Sequence, residues 1–167
     1  MASSAVCAAE RYGLGRPATP REIAGWDIDI SPSGAGLPPG RGDVRLGEAI
    51  FAAKCAGCHG PSGEGKPMDQ LVDGVGTLRD KKPEKTVGSF WPYATTLFDY
   101  VRRAMPLNAP QSLTADEVYA VSAYVLALNG IVPQDTMLDA DSLLTIEMPN
   151  RDGFVSAYPT PGAGAEP

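Results

Sequence analysis

Apolar residues recur at helical spacing in three stretches of the chain between residues 43 and 130. The first stretch, VRLGEAIFAAKCAGC, follows Asp43, a residue type that often caps the start of a helix. Gly47, Phe51 and Cys55 are four residues apart within it and so share one face of the predicted helix. The pattern therefore predicts a helix that leads directly into a cysteine-containing segment.

Two further helices follow with clear boundaries. One should begin near Pro92, run through YATTLFDYVRRA and stop before Pro106, which cannot continue a helix. The other starts at a capping box formed by Thr114 and Glu117 and ends at Gly130. Their apolar positions form stripes at i, i+3, i+4 and i+7, which are Leu97, Tyr100, Val101 and Ala104 in the first and Val118, Val121, Ser122 and Val125 in the second. The sequence thus predicts an all-α domain over residues 41–130.

The segments on either side of this domain differ from it in composition. Gly and Pro interrupt residues 1–40 repeatedly, and we interpret this segment as an extended arm ordered mainly by contacts with something else. Within it, PREIAG could form a helical turn and WDIDI alternates like a short strand. Residues 131–167 contain six acidic and one basic residue, and we expect an irregular acidic extension with one short helix at DADSLLTI.

Charge and hydropathy exclude two classes of protein. The net charge is −6 and no basic face is evident, which argues against nucleic-acid binding. The longest apolar run, VSAYVLAL, is well short of the ~18 residues of a membrane-spanning helix. The first ten residues, MASSAVCAAE, lack the basic start and apolar stretch of an intact signal peptide, and Cys7 is expected to be an unpaired residue there.

The segment CAGCH contains two of the three cysteines and the only histidine. Cys55, Cys58 and His59 match the covalent haem attachment signature, in which two thiols add to the haem vinyl groups and the next residue presents an imidazole to the iron. A structural zinc would need a fourth ligand, and a thioredoxin-like pair would need a preceding strand. A plain disulfide would leave His59 unexplained. The sequence therefore predicts one covalent haem c.

With a single histidine, the second axial ligand must be Met, Lys, water or nothing. Of the five methionines, Met105 ends an amphipathic helix that can pack over the haem, so His59 and Met105 are the predicted iron ligands. Met148 is the alternative, since it too precedes a proline, although it lies in the acidic extension. The other interpretations are a core-filling Met105 and a partner-contacting or haem-rim Met148.

Residues 43–130 resemble the class I c-type cytochromes. The resemblance rests on the helix with Gly47 and Phe51, the CAGCHG attachment, RAMP and the closing helix with AYVLAL. It implies that the first and last helices cross, with Gly47 and Phe51 against Val121 and Tyr124.

The same resemblance implies two further contacts with the haem site. A backbone carbonyl after the attachment site should accept a hydrogen bond from His59, with Pro67 as the candidate. Trp91 or Tyr93 could reach a haem propionate, the alternative being a packed aromatic.

A narrower resemblance covers more of the chain. The segments YGLGRPATPREIAGWDIDI, KTVGSFWPYATTLFDYVRRAMP, APQSLTADEVYAVSAYVLALN and MPNRDGF are similar to the cytochrome subunit of bacterial sulfane (sulfite) dehydrogenases. This resemblance implies a periplasmic protein with a molybdenum-cofactor subunit as electron donor and another cytochrome as acceptor. Relatives often contain a second haem domain, whereas this chain has one Cys-x-x-Cys-His motif.

Together these features predict an electron carrier that performs no bond chemistry, with the arm wrapped over a partner. Two other functions remain open. A haem sensor or peroxidase-like protein with an open sixth position would bind carbon monoxide when reduced, and a zinc or disulfide module would be colourless.

Overall fold

A computed structural model describes residues 14–158 of the chain. Its helices are α1 (Pro20–Ala24), α2 (Val44–Lys54), α3 (Ala56–His59), α4 (Val87–Phe90), α5 (Ala94–Ala104), α6 (Ala115–Leu128) and α7 (Ala140–Leu144). Two three-residue strands, β1 (Arg41–Asp43) and β2 (Met137–Asp139), form an antiparallel pair, and Thr77–Arg79 form a 3-10 turn. None of the helices between residues 14 and 158 combines the length and apolar character needed to span a membrane.

The three predicted helices of the core are present, although the first ends at Lys54 and its predicted cysteine-containing part is the separate short helix α3. Two of the three have the predicted caps. The Asp43 side chain accepts the N–H of Leu46 at the start of α2, at 2.7 Å. Thr114 and Glu117 form the expected reciprocal capping box at the start of α6. Local sequence thus fixes the ends of the two helices that form most of the core.

Helices α2 and α6 approach each other so closely that only glycine fits at their contact. A Cβ atom built on Gly47 would overlap the carbonyl oxygen of Ala120 in α6 and lie 2.8 Å from the Cβ of Tyr124. One turn further along α2, the rings of Phe51 and Tyr124 pack with their centroids 5.3 Å apart. The implied contact of Gly47 and Phe51 with Tyr124 is confirmed, and Ala120 is the other residue at the closest point.

The chain beyond residue 130 differs from the expected irregular extension. Strand β2 pairs with β1, with Leu138 opposite Gly42, and the predicted short helix is present as α7. Four apolar side chains from this segment are buried in the same core as α2, α5 and α6, namely Leu138, Leu143, Ile146 and Met148. The first part of the extension therefore completes the core, because the β-pairing folds it back onto the domain.

The arm was also predicted only in part. The helical turn at Pro20 is present as α1, capped by Thr19, but WDIDI is not a strand. The outer part of the arm, residues 14–27, is exposed. In the inner part, residues 28–40, Ile30 is buried in the core, and the carbonyl of Pro38 accepts a hydrogen bond from the Tyr119 hydroxyl at 2.9 Å. The inner arm thus packs on its own domain.

Candidate functional site

The segment that contains the paired cysteines is a tight turn at the end of α2. Helix α2 stops at Lys54, and the Cys55 carbonyl then accepts the N–H groups of both Cys58 and His59, each at 3.0 Å. Residues three apart on such a turn lie on the same side of it. Cys55 is half-buried and Cys58 is exposed, and the two are not joined by a disulfide in the part of the chain that the structure describes.

The imidazole of His59 is oriented by the backbone of the loop that follows. Its Nδ1 atom lies 2.8 Å from the carbonyl oxygen of Asp69, and since a carbonyl only accepts, Nδ1 carries the proton and donates. Nε2 is then the ring nitrogen with a free lone pair, which is the form of histidine that binds a metal.

The acceptor is Asp69 and not Pro67, so that expectation was wrong. The loop turns back on itself, with the Gly65 N–H bonded to the His59 carbonyl at 2.7 Å and the Met68 N–H bonded to the Cys58 carbonyl at 2.9 Å. Because of these bonds, the loop passes the imidazole before the Asp69 carbonyl comes within hydrogen-bonding distance of Nδ1. The acceptor therefore depends on the fold of the loop and not on the presence of a proline.

Asn129 supports this loop and was missed in the sequence. Its Nδ2 donates to the carbonyl of Leu71 at 3.1 Å and to that of Val125 at 2.8 Å, which joins the loop after Asp69 to the end of α6. Its other face lies so close to Gly88 that a Cβ there would overlap Oδ1 of Asn129. An Asn directly before the helix-terminating Gly130 was the only available signal, and that signal indicates a helix end instead of a loop anchor.

The methionines differ in how much surface they leave uncovered. Met105 directly follows α5, with its N–H bonded to the Val101 carbonyl at 3.1 Å, and its side chain is half-buried at the edge of the core. Met148 is 3% exposed, so protein already covers it, whereas Met68 (47%) and Met137 (54%) point into solvent. Met1 and Cys7 lie outside the described residues.

Several half-buried apolar residues lie at the edge of the core, and Cys55 is one of them. Those that pack against the core without being enclosed by it include Cys55, Ala56, Leu71, Trp91 and Met105. Trp91 stacks edge-on against Tyr100 with centroids 5.6 Å apart, and the Arg151 guanidinium lies 4.6 Å from the centroid of Tyr93. The suggested contact of Trp91 or Tyr93 with a propionate stays a prediction.

The electrostatics of the thiols do not indicate a metal-thiolate site. Burial raises the pKa of the Cys55 thiol, the nearby Lys54 lowers it and Cys58 raises it further. A raised pKa leaves the free Cys55 thiol protonated at neutral pH, so no preformed thiolate is present there. Among residues 14–158, no group of three or more His, Cys, Asp or Glu side chains is arranged to hold a metal ion. The zinc interpretation therefore has no support in this part of the chain.

Comparison with known proteins gives two findings. The family model "Cytochrome c" matches residues 44–129. The chain is also similar to a chain in the crystal structure of the sulfane dehydrogenase SoxCD from Paracoccus pantotrophus, with 45% sequence identity and a TM-score of 0.81. That match covers 87% of this chain and 72% of the other. No curated protein sequence matches the chain significantly.

Proposed function

Because the chain belongs to the cytochrome c family, whose members contain covalently attached haem c, we propose that it is a periplasmic one-electron carrier with a single His/Met haem. Cys55 and Cys58 would tether the haem, and His59 and Met105 would ligate its iron. The observation that carries the proposal is the Nδ1–H bond from His59 to the Asp69 carbonyl beside two free thiols.

Each residue of the site has a distinct part in this function. The haem supplies a reversible one-electron couple. The Asp69 carbonyl orients the imidazole and, by accepting the hydrogen bond from Nδ1–H, would make Nε2 a stronger donor to the iron. The soft thioether of Met105 favours ferrous iron and so raises the reduction potential. The apolar residues at the edge of the core would keep water from the iron, which suits electron transfer without bond chemistry.

Met105 is supported over the other methionines by its position. It is fixed at the end of a helix whose apolar side is part of the core, and its own side chain keeps surface that a haem could cover. Met148 has almost no surface left to offer a cofactor. Met68 directly precedes Asp69, in the loop that supplies the hydrogen-bond acceptor for His59. It would therefore lie on the same side of the haem as the histidine and not at the sixth position.

We also propose a molybdenum-containing sulfane or sulfite dehydrogenase subunit as electron donor and another cytochrome as acceptor. Support comes from the similarity to a chain of sulfane dehydrogenase SoxCD over most of both sequences. The outer arm adds physical support, since Leu14 is 90% and Trp26 is 89% exposed. A partner that covered these two side chains would remove their apolar surface from water, which favours association.

The axial ligation can be tested on the unmodified protein. We expect sharp c-type absorption bands in the reduced form, a weak far-red sulfur-to-iron band in the oxidised form, and no spectral change when carbon monoxide is added to the reduced protein. Met occupies the sixth position in this proposal and excludes carbon monoxide. A high-spin spectrum that changes with carbon monoxide would instead support the open-site sensor or peroxidase-like alternative.

The electron donor can be tested by rapid mixing. Oxidised haem protein should be reduced when it is mixed with a purified molybdenum-containing sulfite dehydrogenase subunit and sulfite, with a rate that saturates as the subunit concentration rises. Ascorbate serves as the control, because it reduces an accessible haem without a docking step. Rapid reduction by ascorbate together with no reduction by the enzyme would contradict the proposed donor and leave the carrier function intact.

A further inference from the structure

Asp99 of α5 is the only charged side chain buried in the part of the chain that the structure describes, and it faces the arm. Its Oδ1 accepts the backbone N–H of Ile30 at 2.9 Å and the Nε–H of Arg103 at 2.9 Å, and its Oδ2 accepts a second bond from Arg103. A buried carboxylate is costly unless its oxygens are satisfied. Here the arm backbone and the next turn of α5 satisfy them together.

Arg102, the residue before Arg103 in α5, makes a second hydrogen bond to the arm. Arg102 donates from Nη1 to the carbonyl of Ile28 at 3.2 Å, two residues before the bond from Ile30 to Asp99. Ile30 is itself 7% exposed and packs into the core. The segment Ile28–Ile30 is therefore fixed across α5 by one buried side chain and by two hydrogen bonds between its backbone and side chains of α5.

This anchor lies close to the methionine along the same helix. Six residues separate Asp99 from Met105, about 9 Å at the rise of an α-helix. Helix α5 continues unbroken to Ala104, and the Met105 N–H extends its hydrogen bonding through the Val101 carbonyl at 3.1 Å. A shift of α5 at Asp99 would therefore move Met105 with it.

We propose that Asp99 is a positioning residue for the axial ligand. By tying the Ile28–Ile30 segment to α5, it holds the end of that helix, and so the sulfur of Met105, against the iron. The inference rests on the proposed His/Met ligation. In this proposal the inner arm helps to hold Met105 in place as an iron ligand, in addition to packing on the core.

The test compares Asp99→Ala with Tyr119→Phe in the full haem-containing chain. Tyr119→Phe also removes one hydrogen bond to the arm, at Pro38, but from α6 instead of α5. We expect Asp99→Ala to weaken the far-red sulfur-to-iron band, lower the reduction potential and let reduced haem bind carbon monoxide. Hydrogen exchange of the Met105 amide should quicken at least about tenfold, as expected for loss of a hydrogen bond to a charged group. Tyr119→Phe should change none of these.

Asp99→Asn and Arg102→Gln keep the test decisive if Asp99→Ala does not fold. Asn can still accept the Ile30 N–H but lacks the charge that strengthens this bond, so Asp99→Asn should quicken Met105 exchange relative to the unmodified protein. Arg102→Gln should quicken Met105 exchange with Asp99 intact. Unchanged carbon monoxide binding and Met105 exchange in Asp99→Ala would overturn the inference, as would equal changes in Tyr119→Phe.

Failure of the positioning role is distinguishable from failure of the proposed ligation. If the unmodified protein already binds carbon monoxide, Met105 is not the sixth ligand, and both the ligation and the positioning role are overturned. If only the variants fail to respond, the ligation stands and Asp99 has a purely structural role.

Discussion

Replacing Gly47 with Ala is expected to destabilise the fold strongly and to reduce covalent haem incorporation sharply. The added Cβ would overlap the carbonyl oxygen of Ala120, which is backbone in the middle of α6 and cannot move aside alone. Either the two helices separate or α6 shifts as a unit, and Phe51 and Tyr124 then lose their contact. We expect a loss of about 3 kcal/mol or more in the free energy of unfolding, a large share of the roughly 5–15 kcal/mol that stabilises a domain.

Gly25→Ala is the matched control, because it makes the same change at the end of α1, outside the cysteine-containing segment. A Cβ on Gly25 meets only the carbonyl oxygens of Glu22 and Arg21, at 3.5 and 3.8 Å, which is ordinary van der Waals contact. Denaturant unfolding followed by circular dichroism, with the yield of covalent haem, compares the two variants. If Gly47→Ala proved as stable as Gly25→Ala, α2 and α6 would not cross as closely as described.

Local signals in the sequence were enough to predict the main helices. Asp43, Thr114 and Glu117 cap helices that also have apolar faces, so propensity and burial favour the same structure. The attachment turn followed from spacing alone, because thiols three residues apart on a helical turn share one side. Signals between residues close together in the chain were therefore enough to predict the main helices and the turn that contains Cys55, Cys58 and His59.

Features that depend on distant pairing could not be predicted in this way. Strands β1 and β2 have three residues each, too few for an alternating pattern, and they pair across almost a hundred residues. Gly42 of β1 lies against α6, where a Cβ would overlap the backbone N–H of Ala120, and nothing in the local sequence shows this approach. The bond from His59 to Asp69 likewise depends on how the loop folds back.

Met105→Ala and Met148→Ala are expected to have opposite effects, because one side chain lies at the edge of the core and the other inside it. Met148→Ala removes a side chain that is 3% exposed and leaves a cavity, so the free energy of unfolding should fall by about 2–5 kcal/mol. Its far-red band and its resistance to carbon monoxide should be retained.

Met105→Ala should keep the haem attached through Cys55 and Cys58 but lose the far-red band, bind carbon monoxide when reduced and have a lower reduction potential. The two variants should be compared by absorption spectra with carbon monoxide and by denaturant unfolding. Retention of the far-red band in Met105→Ala with its loss in Met148→Ala would assign the iron to Met148. That result would place the haem against the last segment of the chain, which β2 and α7 fold back onto the core, and α5 would then have only a packing role.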